Sequence, residues 1–236
     1  MTQQAVILAG GLATRLKPIT EKIPKSLVEV AGRPFIDWQL RLLAAIGIQK
    51  VVLCLGYLGE QVEAVVGDGA DWQLEVKYSY DGPIQLGTGG ALRQAEPLLD
   101  EVFWVLYGDS YLKFDYTAAA AYFADNGQGK AGLMTVFANQ NKWDTSNVIF
   151  REGQLITYDK WRQVPEMEYI DYGATLLRRS SLGKIPGGEP YDLATFYYQL
   201  VEDKLLLGYE VTQRFYEIGS FKGLAETEEF FQRGEV

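Results

Sequence analysis

Short apolar runs alternate with amphipathic stretches through the first half of the chain. Ala5–Ala9 is uninterrupted apolar sequence ending at Gly10-Gly11, the pattern of a buried strand entering a tight loop. Over Pro34–Ile46, Phe35, Ile36, Leu40, Leu43 and Ala44 recur at helical spacing, with Pro34 at the start and Gly47 as a C-terminal stop. Val51–Leu55 predicts a second buried strand, Gly59–Val66 a helix and Leu74–Tyr80 a third, alternating strand. Thr88–Leu99 predicts a helix after a glycine-rich turn, Val102–Tyr107 a strand closed by Gly108-Asp109, and Phe114–Ala124 another helix. Strand, helix, strand in short succession predicts a mostly parallel sheet covered on both faces. Right-handed crossovers gather the loops that follow the strands along one edge, where ligands of such folds bind. Gly10–Lys25, Gln85–Gly90 and Gly108–Ser110 are those loops.

The pattern changes in the second half. Ala131–Ala138, Val148–Arg151, Gln154–Tyr158 and Ile170–Arg178 are strand-like, with Glu152-Gly153 as a hairpin turn. Tyr191–Glu202 predicts a helix, Phe215–Ile218 a last strand and Lys222–Gln232 a last helix. No Ser/Pro/Gly-rich linker divides the chain, so residues 1–236 are expected to form one domain whose second half extends the first half's sheet. No internal repeat is present, and in particular no hexapeptide repeat of a left-handed β-helix follows.

Composition removes several chemistries. The chain has 236 residues, 47% of them hydrophobic and 22% charged, enough to build a substantial core and unlike a disordered chain. It has no histidine, which excludes Ser-His-Asp and Cys-His catalysis and HExxH zinc sites. Its one cysteine, Cys54, allows no intrachain disulfide and, inside Val-Val-Leu-Cys-Leu, reads as a small buried hydrophobe. Trp104, Trp143 and Trp161 read as core or pocket walls. A net charge of −9 argues against nucleic acid as a partner. No signal-peptide pattern and no membrane-length apolar run is visible, so a cytoplasmic protein without a membrane partner is expected. A homo-oligomer stays open.

Against that acidic background, Arg15–Lys25 carries four cations and one acid. A glycine-rich turn after a buried strand aims backbone N–H groups at an anion, and neighbouring Arg and Lys add charge-assisted contacts. A phosphate site fits this better than a solvated loop. The spacing is neither GxxxxGK[ST] nor GxGxxG, which sets aside a P-loop and a dinucleotide site.

The segment Leu8-Ala-Gly-Gly-Leu-Ala-Thr-Arg15-Leu-Lys-Pro-Ile-Thr, closing on Pro24-Lys25, resembles the signature L-A-G-G-x-G-T-R-L-x-P-L-T…P-K of the sugar-1-phosphate nucleotidylyltransferases, and of their mannose/heptose-1-phosphate guanylyltransferase-like branch. It departs at Ala13, where the family has Gly. Gln85-Leu-Gly87-Thr88-Gly89-Gly90-Ala-Leu resembles the family's nucleobase segment, Tyr107-Gly108-Asp109-Ser110 its G-D motif, and Tyr158-Asp-Lys160 its E-K segment. Ile170-Asp171-Tyr172-Gly173-Ala resembles its sugar-pocket segment, and Glu217-Ile-Gly219 stands where the family has D-I-G. Without the resemblance, Asp109 and Asp171 read as turn acids and Lys160 as a surface cation, while Thr88 can cap a helix and line a base at once.

The resemblance implies an α/β fold: a Rossmann-like mixed, mostly parallel sheet of the nucleotide-diphospho-sugar transferase type. Residues 1–125 would be its nucleotide-binding half and 126–236 its sugar-phosphate-binding half. It implies transfer of a nucleoside monophosphate from an NTP to a sugar 1-phosphate, with release of pyrophosphate and GTP favoured. Arg15, Lys25 and Asp109 would be catalytic, and Asp109 with Glu217 would hold Mg²⁺. Leu8, Ala9, Gly10, Gly11, Ala13, Thr14, Gln85, Gly87, Thr88 and Gly89 would bind the nucleotide, and Lys160, Asp171, Tyr172 and Gly173 the sugar phosphate. A phosphate monoester is largely dianionic at neutral pH, its second pKa being about 6, so the nucleophile needs no general base. The departures at Ala13 and Glu217 point to a second outcome, a nucleotide-sugar-binding regulatory protein without turnover.

Overall fold

Runs of Val, Ile and Leu can be buried on both sides only in the middle of a layered structure, and that is where the first strand lies. Every residue of Gln4–Leu8 is buried, and its side chains alternate between two cores. Ala5 and Ile7 join one cluster with Leu53 and Leu106, while Val6 and Leu8 join the other with Val52 and Val105. The structure is a computed structural model that describes residues 2–11 and 14–234, Thr14 by its backbone only.

The elements in chain order are β1 (Gln4–Leu8), β2 (Glu29–Val30), β3 (Arg33–Pro34), α1 (Phe35–Ala45), β4 (Lys50–Leu55), α2 (Gly59–Val66), β5 (Glu75–Tyr80), α3 (Gly87–Gln94), β6 (Val102–Tyr107), β7 (Ser110–Tyr111) and α4 (Tyr116–Asn126). They continue as β8 (Gly132–Ala138), β9 (Val148–Arg151), β10 (Gln154–Tyr158), β11 (Tyr169–Arg178), α5 (Leu193–Glu202), β12 (Leu206–Val211), β13 (Tyr216–Glu217) and α6 (Phe221–Gln232). Nine strands form one sheet. Its main order is β12–β8–β11–β6–β1–β4–β5, and the β9–β10 hairpin joins at the start of β11. Strand β11 runs antiparallel between β6 and β8, while β6, β1, β4 and β5 are mutually parallel. This is the mixed, mostly parallel sheet expected, and it passes without a break from the first half of the chain to the second.

Helices cover both faces. Ile36, Leu40 and Leu43 of α1, Val62 of α2 and Phe123 of α4 pack on one side. Leu92 of α3 and Leu193, Phe196, Tyr197 and Leu200 of α5 pack on the other. A third cluster seats α6 on β2 and the start of α1, with Trp38 and Phe231 stacked at a ring separation of 4.2 Å.

Three expectations need correcting. The helix expected over Thr88–Leu99 is α3 followed by a separate 3₁₀ turn, Glu96–Leu98. Pro97 has no N–H to continue the ladder. Leu206–Val211 is a full strand beside β8 that the alternation did not announce. Its Gly208 breaks the strand signal, yet lies against the Phe150 ring, where a larger side chain would not fit. The last short strand does not join the main sheet: β13 pairs with β7 as a two-stranded ladder.

Candidate active site

Four parallel strands end along one edge, and their following loops surround a cavity of about 220 Å³. Leu8, Ala9, Gly10 and Gly11 form one wall, Gln85, Gly87 and Thr88 another, and Lys25 and Asp109 the far end. Sequence reasoning named all nine. It did not single out Ser26 and Asp81, which also line the cavity, and Cys54, Ala91, Tyr107 and Gly108 complete the lining. Asp81 and Ser26 sit in segments without a motif of their own, so only the fold reveals them. Ala13 lies outside the described residues, as does the side chain of Thr14.

The charged end is assembled across 108 positions of sequence by the β7–β13 ladder. Glu217 pairs with Ser110, and the Ile218 N–H donates to the Asp109 carbonyl at 2.9 Å. Gln39 of α1 donates its side-chain amide to the Tyr107 and Ser110 carbonyls, both at 2.9 Å, and so fixes the turn that carries Asp109. The Lys25 ammonium meets Asp109 Oδ2 at 2.8 Å. Arg15 Nη2, Asp109 Oδ2 and Glu217 Oε2 all lie within 3.3 Å of the point a Cβ on Gly219 would occupy. Two cations and two carboxylates therefore converge on one spot. Both Glu217 oxygens are engaged at the start of α6, Oε2 by the Gly219 N–H and Oε1 by the Ser220 hydroxyl at 2.8 Å.

Hard oxygen donors of this kind suit a small divalent cation, which needs only one or two protein carboxylates when phosphates supply the rest. Among the described residues no group of three or more His, Cys, Asp or Glu side chains is placed to hold a metal alone. Asp109 and Glu217 fit a cation bound jointly by protein and phosphate.

The glycine-rich wall is built differently from the expectation. Gly87, at φ +68°, lines the cavity and begins α3. A Cβ there would stand 2.9 Å from the Tyr191 carbonyl. The Gly89 and Gly90 N–H groups donate to that same carbonyl at 2.8 and 3.1 Å. These two donors at the start of α3 are thus spent on docking α5, and Gly89 does not reach the cavity. Thr88 lines the cavity but does not cap its own helix. Its hydroxyl accepts from the Leu193 N–H at 3.0 Å and donates to Asp192 at 3.4 Å.

The residues expected around the sugar phosphate divide. Lys160 pairs with Asp192 Oδ2 at 2.6 Å. Burial works against the Asp192 charge, but Lys160 and the Ala194 N–H outweigh it and hold Asp192 below the usual carboxylate range. Asp171 is recessed in the sheet and accepts from the Gly173 N–H at 3.0 Å. Loss of water pushes its pKa up to about 6. Burial, and then the Asp171 charge, raise the hydroxyl pKa values of Tyr107 and Tyr158. Tyr107 thus lines the main cavity while also feeling the Asp171 charge. Gly173, at φ +96°, sits in the irregular stretch of β11 between Asp171 and Thr175. Tyr172 is a correction. One residue on from Asp171, it points to the opposite face, 2% exposed, among Phe114, Phe137 and Phe215. Trp161 is another: it is 56% exposed and walls no core.

The model of the nucleotidyl transferase family matches residues 4–147. A UTP–glucose-1-phosphate uridylyltransferase of Synechocystis is 28% identical over 227 residues, 90% of this chain and 58% of its own. The catalytic subunit beta of a mannose-1-phosphate guanylyltransferase from Dictyostelium discoideum is 30% identical over 187 residues, 77% of this chain and 51% of its own. The chain thus spans a little over half the length of these curated relatives. The crystal structure of HddC from Yersinia pseudotuberculosis, solved with GMP-PN, superposes with a TM-score of 0.78 at 24% identity, covering 98% of this chain and all of the other. No helix among the described residues is long and apolar enough to cross a membrane.

Proposed function

The chain belongs to the nucleotidyl transferase family, and from that premise we propose that it transfers a nucleoside monophosphate from an NTP to a sugar 1-phosphate, forming an NDP-sugar and pyrophosphate. GTP with a mannose- or heptose-type 1-phosphate is the favoured pair. The observation that carries the proposal is the convergence of Arg15, Lys25, Asp109 and Glu217 at one end of a cavity partly lined by the Gly10-Gly11 and Gly87 loops.

The reaction's difficulty is electrostatic. Two polyanions must meet, and charge grows on the leaving pyrophosphate. Arg15 and the Gly10-Gly11 backbone hold the β- and γ-phosphates. Lys25 neutralises charge beside the α-phosphorus, and its 2.8 Å contact with Asp109 keeps it extended into the site beforehand. Asp109 and Glu217 would hold Mg²⁺, which would supply positive charge to offset that of the reacting phosphates. Lys160 places the sugar phosphate in line, and Asp171 accepts hydrogen bonds from sugar hydroxyls. No residue need take a proton from the nucleophile, which suits a chain without histidine.

Incubation with GTP labelled at the α-phosphorus, Mg²⁺ and a panel of hexose and heptose 1-phosphates tests this. The label is expected in a new NDP-sugar. Label retained in GTP with every acceptor, and likewise with the other NTPs, contradicts it. A second reading, a binding protein without turnover, draws on the Glu217 carboxylate being engaged at the start of α6.

A further inference from the structure

Asp81 follows β5 and lines the cavity without belonging to any motif. Its Oδ2 accepts the Leu86 N–H at 3.1 Å, and its own N–H donates to the Leu55 carbonyl at 3.0 Å. Its position is therefore fixed from both sides. Among the described residues no cation pairs with it, and burial raises its pKa. A carboxylate with no cation is an unexpected lining for a site that takes a triphosphate, because it repels phosphate.

The topology resolves this. Asp109 follows β6 and Asp81 follows β5, with β1 and β4 between them. Three strand steps of about 4.8 Å put the two carboxylates about 14 Å apart along the sheet edge. The phosphates belong at the Lys25–Asp109 end, so the nucleoside end of the substrate faces Asp81. A carboxylate there can only accept hydrogen bonds. With Oδ2 taken by the Leu86 N–H, Oδ1 has no hydrogen-bond partner among the described residues. Uracil and thymine present one N–H between two carbonyl oxygens, which a carboxylate repels. Adenine and cytosine present an amino group beside a ring-nitrogen acceptor. Guanine alone presents two neighbouring donors, N1–H and the 2-amino group.

We infer that Asp81 reads the nucleobase and selects guanine, accepting from its N1–H and 2-amino groups. This rests on the nucleotidyl transfer site proposed above and adds the residue that sets its base specificity. Asn at position 81 has a similar shape. Its amide oxygen can keep the Leu86 N–H, which turns the NH₂ group toward the base. That donor opposes guanine and suits a uracil carbonyl.

Equilibrium titration with GTP, ITP, UTP and CTP tests the inference on the wild-type protein and on Asp81→Asn. The wild type is expected to bind GTP at least tenfold more tightly than UTP. It is also expected to bind ITP, which lacks only the 2-amino group, several-fold more weakly than GTP. In Asp81→Asn the GTP/UTP affinity ratio is expected to fall at least tenfold. Equal wild-type affinities for GTP, ITP and UTP overturn the inference without needing a variant. So does an equal loss for all four nucleotides in an Asp81→Asn protein whose melting temperature matches wild type, the outcome of a ribose contact. Binding of no nucleotide by the wild type overturns the underlying transfer site as well.

Discussion

Asp109 carries two demands at once. Its carboxylate holds Lys25 in place and is one half of the proposed metal pair. Asp109→Ala is expected to abolish turnover while leaving the melting temperature within a few degrees of wild type, because the turn is also pinned by Gln39. A near-normal rate in a kinetic assay would remove Asp109 from the chemistry. Lys25→Ala is expected to lower kcat more than tenfold, each decade being about 1.4 kcal/mol of transition-state stabilisation. An unchanged kcat assigns the phosphate charge elsewhere. Asp171 makes a prediction about pH. Its folded pKa of about 6 is above the ordinary value of 3.8, so the folded state holds the proton more tightly than the unfolded state does. The unliganded protein therefore loses stability as pH rises from about 4 to 6, by on the order of 3 kcal/mol, with little further change from this group above that. Asp171→Asn is expected to remove that slope, so its advantage in melting temperature over wild type grows across that window and then levels. A constant difference at all pH values contradicts the burial account.

At the scale of elements, the site depends on two docking contacts that link distant parts of the chain. The β7–β13 ladder brings Glu217 beside Asp109, and the Tyr191 carbonyl ties the start of α5 to the start of α3. Gly87→Ala strains the second contact twice, through its φ of +68° and through the Tyr191 carbonyl 2.9 Å from the new Cβ. A cost of about 1–3 kcal/mol in denaturant unfolding, with weakened nucleotide binding, is expected. Full stability would mean the loop tolerates a side chain after all. These contacts also mark what the sequence conveyed. The buried strands and the loops after them were legible because continuous apolar runs ending in Gly or Gly-Asp have few other meanings. Tyr172 was misplaced because a motif names neighbours without saying which face each takes. Gly89 was misplaced because a glycine can admit another strand or helix as readily as a ligand. Asp81 was invisible because it is defined by its distance across the sheet from Asp109, and nothing local encodes that.

For the whole molecule, the excess of acid elsewhere makes Arg15–Lys25 a local exception, +3 within a chain of −9. The sheet places that exception at one end of an edge whose other end is Asp81. In the binding mode proposed above, a nucleotide meets Arg15 and Lys25, paired with two carboxylates, at its phosphates and the Asp81 acceptor at its base. Turnover in this groove is decided by pyrophosphate release in Mg²⁺ buffer across a matrix of NTPs and sugar 1-phosphates, with wild type and Asp109→Ala side by side. Wild type is expected to release pyrophosphate with at least one pair, in step with NDP-sugar formation, and Asp109→Ala almost none. Silence of the wild type across the matrix, with a nucleotide still raising its melting temperature, would contradict that expectation and leave a protein that binds without transfer.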